Sequence, residues 1–183
     1  MNVIFLDFDG VLDTIHYSSN EDIENKISIL ADICKEYNCK VVIEAAAKNA
    51  IDENTLETES GWIHYIFELF KKYDIDCIGR TPNVIKKYDE YSYYPIWKEY
   101  EIRLYLFRHP EIEHFCIIDD DDLFPNSDLN QLKDYLLKTK YYSDNKYDEG
   151  ILESHKEEIG KILKKDNNIR NLVLKYKKVF KNE

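Results

Sequence analysis

Glycine and proline are scarce in this chain, five and four among 183 residues. That scarcity argues against long disordered linkers and for one domain. Cysteine is sparse too: Cys34, Cys39, Cys77 and Cys116, with no CxxC pair. A zinc site is not expected at that spacing, and the thiols read as reduced and buried, which fits a reducing cytoplasm. No apolar run is long enough to span a membrane. The N-terminus lacks the charged-then-apolar pattern of a secretion signal, so a cytoplasmic protein is expected. Positive charge is short as well: the net charge is −11. Such a balance opposes stable non-specific coating of nucleic acid, although a local basic groove remains compatible with it.

What the chain does have is concentrated at its start. Val3-Ile4-Phe5-Leu6 is an unbroken apolar run of the kind that forms a strand buried on both faces. It stops at Asp7-Phe8-Asp9-Gly10-Val11-Leu12. If extended backbone continues past Asp7, Asp7 and Asp9 point to one side, and two such charges call for a nearby cation. Gly10 permits a sharp turn.

Further along, apolar segments alternate between strand and helix character. A capping signal at Ser19 or Asn20 precedes a helix expected over about Glu21 to Tyr37. Lys40 to Ile43 is a second strand, followed by Glu44-Ala45-Ala46-Ala47-Lys48. A helix is expected to begin near Asp52 or Asn54 and to end near Tyr73. A short third strand is expected over Ile75 to Ile78, closed by Gly79. An irregular, Tyr-rich stretch comes next, then a helix from about Ile96 to Arg108. Phe115 to Ile118 is a fourth strand ending in Asp119-Asp120-Asp121-Asp122. A fifth is expected over Tyr135 to Thr139. Helices over about Ser154 to Lys164 and Asn167 to Phe180 close the chain. The expected architecture is α/β: a parallel sheet with helices on both faces, and ligands at the carboxyl ends of the strands. Two acidic strand ends meeting at one sheet edge would form a hard-oxygen metal site.

The Asp-x-Asp-Gly-Val-Leu stretch after an N-terminal strand resembles the first motif of the haloacid dehalogenase (HAD) superfamily of phosphatases. A closer resemblance is to a branch related to the phosphatase-like domain of the Swiss Army knife RNA repair proteins. It is carried by Lys98-Glu99-Tyr100-Glu101-Ile102, His109-Pro110-Glu111, Ile117-Ile118-Asp119-Asp120-Asp121, Thr139 and Gly150-Ile151-Leu152. The resemblance covers nearly the whole chain. It implies a HAD-like Rossmannoid three-layer sandwich with a five-stranded parallel sheet and no full cap domain. It implies a single domain over residues 1–183, its C-terminal helices, about 153–181, packed on the core.

The resemblance also implies a chemistry. Asp7 would be the nucleophile and Asp9 the proton shuttle, with Lys98 the cation balancing the phosphoryl oxygens. Mg²⁺ would sit on Asp7, the Asp9 backbone carbonyl, Asp119 and Asp120. Arg80, Lys86 and Lys87 are weaker alternatives to Lys98. Gly10, Glu44, Ala45 and Lys48 fall where the substrate phosphate would bind. There the chain departs from the family: no Ser or Thr follows the second strand, and Glu44 and Ala45 stand instead. Glu44 is open to four readings: facing the phosphate with Lys48 in compensation, facing away, ligating metal, or pairing with Lys98. The expected activity is Mg²⁺-dependent phosphohydrolysis of a phosphorylated substrate, a small molecule or a nucleic-acid end, in an open site. The alternative is a catalytically reduced binding or regulatory protein that keeps the fold. Tyr91, Tyr93, Tyr94 and Trp97 could stack on bases, though packing is the commoner role of such residues.

Overall fold

The computed structural model describes residues 1–83, 95–122 and 130–165. Its centre is a five-stranded sheet, all parallel, in the order β3-β2-β1-β4-β5. The strands are β1 (Asn2–Leu6), β2 (Cys39–Ile43), β3 (Cys77–Arg80), β4 (His114–Asp119) and β5 (Leu136–Lys138). The apolar run that opens the chain becomes the central strand, with Val3 to Leu6 fully buried. Burial of such strands on both faces is what a sheet flanked by helices requires.

Among the described residues, four α-helices accompany the sheet: α1 (Asn20–Tyr37), α2 (Gly61–Lys72), α3 (Pro95–Arg108) and α4 (Lys156–Leu163). Helix α1 is capped at both ends. The Ser19 side chain accepts from Asp22 N, and Asn38 closes the helix in the left-handed conformation at φ 51. Its Ile23, Ile27, Leu30 and Ile33 are buried against the core. Tyr105 of α3 meets Phe5 of β1 edge-on, with centroids 5.7 Å apart, which sets α3 over the face of the sheet that Phe5 presents. No helix among the described residues is long and apolar enough to cross a membrane.

Two expected elements lie elsewhere. The second helix starts at Gly61, not near Asp52 or Asn54. Asp52 Oδ1 accepts from Asn54 N and Thr55 N at 2.8 and 2.9 Å, and Leu56 adopts φ 58. The aspartate therefore closes a local turn in competition with the helix, and a short 3₁₀ segment, Ala46–Ala50, occupies the stretch before it. The third strand runs over Cys77–Arg80, so Gly79 lies within it and does not end it. The pairing with β2 slips between Val41 and Val42. A Cβ on Gly79 would come within 2.7 Å of the Tyr105 hydroxyl, so the close approach of α3 explains a glycine inside a strand. The expected last helix, Asn167 to Phe180, falls outside the described residues. So do Lys86, Lys87, Tyr91, Tyr93, Tyr94 and the side chain of Trp97.

Candidate active site

The site forms where β1 and β4 end side by side. The two strands pair with Leu6 opposite Ile118, and Asp7 N continues the ladder to Ile118 O at 3.0 Å. The register therefore delivers Asp7 and Asp119 to the same sheet edge. Side chains alternate along a strand, so Asp7 shares a face with Phe5, the face under α3. From that helix Lys98 reaches down: its Nζ donates to Asp7 Oδ2 at 2.5 Å and to Asp119 Oδ2 at 2.8 Å. All three side chains are nearly or wholly out of solvent.

The remaining acceptors are met by backbone. Phe8 N donates to Asp7 Oδ1 at 2.7 Å, and Asp121 N donates to Asp119 Oδ1 at 2.9 Å. Asp120 completes the group. Asp7, Asp119 and Asp120 each offer a carboxylate oxygen within 4.8 Å of the others. Gly10 makes this approach possible. It adopts φ +70, and a Cβ there would lie 2.3–2.6 Å from the Asp120 carboxyl group. Thr139, just past β5, fixes the Gly10 turn by donating from Oγ1 to Gly10 O at 2.8 Å. Asp9, between Asp7 and Gly10, is exposed.

The electrostatics are those of an acidic cluster short of positive charge. Burial, then the neighbouring Asp119 charge, pushes the Asp7 carboxyl up to about 7 against the pull of Lys98. Burial pushes Asp119 up to about 6, again against Lys98. Asp120 is raised to about 6 by burial and by the charges of Asp121 and Asp7. Three carboxylates and one ammonium leave two negative charges at full ionisation. Hard oxygen donors with that deficit suit a divalent cation such as Mg²⁺, and the donor set fits it.

The neighbouring strand end carries a second buried cluster. Glu44 follows β2 as Asp7 follows β1, and Glu44 N donates to Leu6 O at 2.8 Å. In the register Leu6 opposite Ile43, Glu44 takes the same face as Asp7. Its side chain is fully buried and is held by Lys48 Nζ at 3.0 Å and by the Thr81 hydroxyl. Lys48 Nζ also donates to Thr81 Oγ1 at 2.9 Å and to Glu101 of α3. The three N–H bonds of the Lys48 ammonium are thus matched by three acceptors within the protein. Among the described residues, Glu44 Oε1 is buried with no hydrogen-bond partner. Burial raises the Glu44 carboxyl to about 7, opposed mainly by Lys48 and reinforced by Glu101. Glu44 is bonded to Lys48 and Thr81, while Lys98 acts on it through its charge. Ala45 is buried, and its carbonyl accepts from Lys48 N at 3.0 Å in the 3₁₀ turn. Arg80 donates from Nε to Ile51 O at 2.8 Å and from a terminal nitrogen to Thr81 O at 3.0 Å.

Sequence reasoning did not single out Thr81 or assign Glu101 a role. The spacing of Lys98 and Glu101, three apart on a helix, places both on one face. Thr81 carries no such signal, because only the pairing of β2 with β3 brings it to Glu44. Glu99 and Arg103 of α3 were missed as well. They form a fully buried pair, with Arg103 Nε 2.9 Å from Glu99 Oε1.

A family model described as the HAD domain in Swiss Army Knife RNA repair proteins matches residues 3–143, well over half of the chain. Those residues contain both acidic strand ends, Lys98 and the Glu44–Lys48 cluster. Comparison with curated proteins and with solved structures gave no significant match.

Proposed function

The chain belongs to the HAD domain family of Swiss Army Knife RNA repair proteins, and from that premise we propose that it is a Mg²⁺-dependent phosphohydrolase working through an aspartyl-phosphate on Asp7. Family membership supports hydrolase- or phosphatase-type function. The convergence of Asp7, Asp119 and Asp120 within 4.8 Å, bridged in part by Lys98, is the observation that carries the finer reading.

Asp7, the Asp9 backbone carbonyl, Asp119 and Asp120 would hold the ion. When bound, Mg²⁺ offsets the repulsion between a carboxylate nucleophile and a phosphate, and favours the ionised form of Asp7. Asp7 attacks phosphorus, and a bond forms from a carboxylate oxygen as the bond to the leaving oxygen breaks. Lys98 holds Asp7 in place and supplies positive charge as the phosphoryl oxygens approach. Asp9, the exposed member of the motif, gives its proton to the leaving oxygen. It then takes one from the water that cleaves the acyl phosphate, which restores Asp7 and releases inorganic phosphate. Gly10 and Ala45 shape the floor of the phosphate site with backbone, and Glu44 and Lys48 support it from behind. The substrate class is a phosphorylated small molecule or nucleic-acid end.

The test is hydrolysis of an aryl phosphate with and without Mg²⁺, beside an Asp7→Asn variant. Metal-dependent turnover that falls to background in the variant is the expected result. Absence of turnover in the wild type, with Mg²⁺ still bound, would overturn the catalytic reading. One observation favours a second reading, a catalytically reduced binding protein. The position where the superfamily offers a hydroxyl is taken by Glu44, fully buried and bonded internally. A lost hydrogen bond to a charged group costs about 1.5–3 kcal/mol, which slows a reaction without abolishing it.

A further inference from the structure

Beside the site, two loops build an exposed aromatic surface. Of the large apolar side chains exposed among the described residues, Ile15, Tyr141, Tyr142 and Tyr147 lie in one place, with only Phe107 elsewhere. Tyr142 and Tyr147 are 59% and 69% exposed. The rings are arrayed in pairs: His16 over Tyr142 with centroids 5.5 Å apart, and Tyr17 beside Tyr147 at 6.5 Å. Lysine charge is interleaved with them. Lys146 Nζ lies 5.2 Å from the Tyr147 ring and 5.9 Å from that of Tyr17; Lys140, 59% exposed, pairs with Asp148 at 3.9 Å, and the Tyr142 hydroxyl donates to Asp144 Oδ1 at 3.3 Å.

The surface is built, not incidental. The side chain of Glu149 is wholly buried beneath it and ties the two loops together. It accepts from His16 N at 3.2 Å, from His16 Nδ1 at 2.6 Å and from Ser143 N at 2.8 Å. Ile15 N adds a bond to Tyr141 O at 3.2 Å. From below, Lys26 of α1 donates to Glu149 O at 2.5 Å and Ile151 O at 3.0 Å. The same loops join the site. Ile151 N donates to Val11 O at 2.9 Å, and Thr139 holds Gly10, whose Cα abuts Asp120. These bonds tie the loops that carry the rings to the loop that carries Asp9 and Gly10.

We propose that Tyr142 and Tyr147, with His16 and Tyr17, form a stacking platform for the unpaired nucleotides next to a terminal phosphate bound at Asp7. Aromatic faces interleaved with lysines suit single-stranded nucleic acid, since every base has a π-face and each stacked base contributes about 1–3 kcal/mol. The occupant is single-stranded because in a duplex every base inward of the terminal pair is already stacked on both faces, which leaves no successive free faces for several rings. With a net charge of −11, affinity comes from stacking more than from phosphate neutralisation, so its salt dependence is shallow. The inference rests on the phosphohydrolase reading for where the terminal phosphate sits.

The experiment is fluorescence anisotropy with a short, labelled single-stranded oligonucleotide bearing one terminal phosphate, alongside aryl phosphate turnover. The expected result is binding weakened at least about fivefold by Tyr142→Ala and by Tyr147→Ala. Phe at either position retains it, and aryl phosphate turnover is unchanged in all four variants. Wild-type affinity in both Ala variants would overturn the proposal, as would equal binding of a blunt duplex. Loss of self-association in the variants, with no oligonucleotide binding by the wild type, would assign the surface to a second copy and overturn it too. Binding that responds to the tyrosines in a protein without turnover would leave the platform standing and remove the chemistry. Turnover with binding indifferent to the tyrosines would do the reverse.

Discussion

Lys48 Nζ stands 3.0 Å from Glu44 Oε2, and neither side chain reaches solvent. The lysine is shared: Glu101 takes another of its protons. Removing it leaves two buried carboxyls facing one ammonium fewer, a loss of about 3–5 kcal/mol for a buried pair broken on one side. Lys48→Met should therefore lower the urea midpoint sharply. The double variant Glu44→Gln, Lys48→Met should recover part of that loss, since it removes one of the stranded charges. Additive effects in the double-mutant cycle would contradict the coupling seen here.

The acidic cluster makes a pH prediction. Asp7, Asp119 and Glu44 titrate near 6 to 7 in the folded protein, against about 4 in an unfolded chain. Between those values the folded state holds more protons, so without metal its stability falls as pH rises from about 4 to 7. Thermal melts in EDTA should show Tm declining across that window. Mg²⁺ should raise Tm more at pH 8 than at pH 5, because protons compete with the ion for the same oxygens. A Tm independent of pH in EDTA would refute this.

Gly10 should not tolerate a side chain. Its φ of +70 disfavours any L residue, and a Cβ would collide with the Asp120 carboxyl. Gly10→Ala should displace Asp120 and weaken Mg²⁺ binding by about tenfold, the equivalent of about 1.4 kcal/mol. Calorimetric Mg²⁺ titration reads this directly. Unchanged affinity would mean that Asp120 is not a ligand.

Glu149 should control the order of the aromatic loops. Glu149→Ala deprives His16 N and Ser143 N of their acceptor, at about 1–3 kcal/mol per buried donor left unpaired. Hydrogen exchange at these two amides should accelerate, while amides in β1 and β4 stay protected. Uniform acceleration across the sheet would indicate global destabilisation instead.

Much of the fold was legible because its signals are local. The apolar runs of β1, β2 and β4 admit few other roles, and Ser19 with its following acids marks the start of α1. The misplaced helix start at Asp52 shows where local reading fails. An aspartate next to a helical pattern can cap a helix or close its own turn, and the sequence does not say which. The third strand slipped because Gly79 reads as a stop unless Tyr105 is known to press on it.

The sequence by itself determined the acidic strand ends, the Asp7–Asp9–Gly10 turn and the departure at Glu44, because each is a contiguous pattern whose chemistry follows from residue type. Only the tertiary structure decided what those groups meet. Strand register brought Asp119 beside Asp7, and α3 carried Lys98 to both. The pairing of β2 with β3 gave Glu44 its Thr81 contact, and two loops far apart in sequence closed over Glu149. Hydrogen bonds and ion pairs act over a few ångströms of space, and that separation is set by how the strands and helices pack, not by position along the chain.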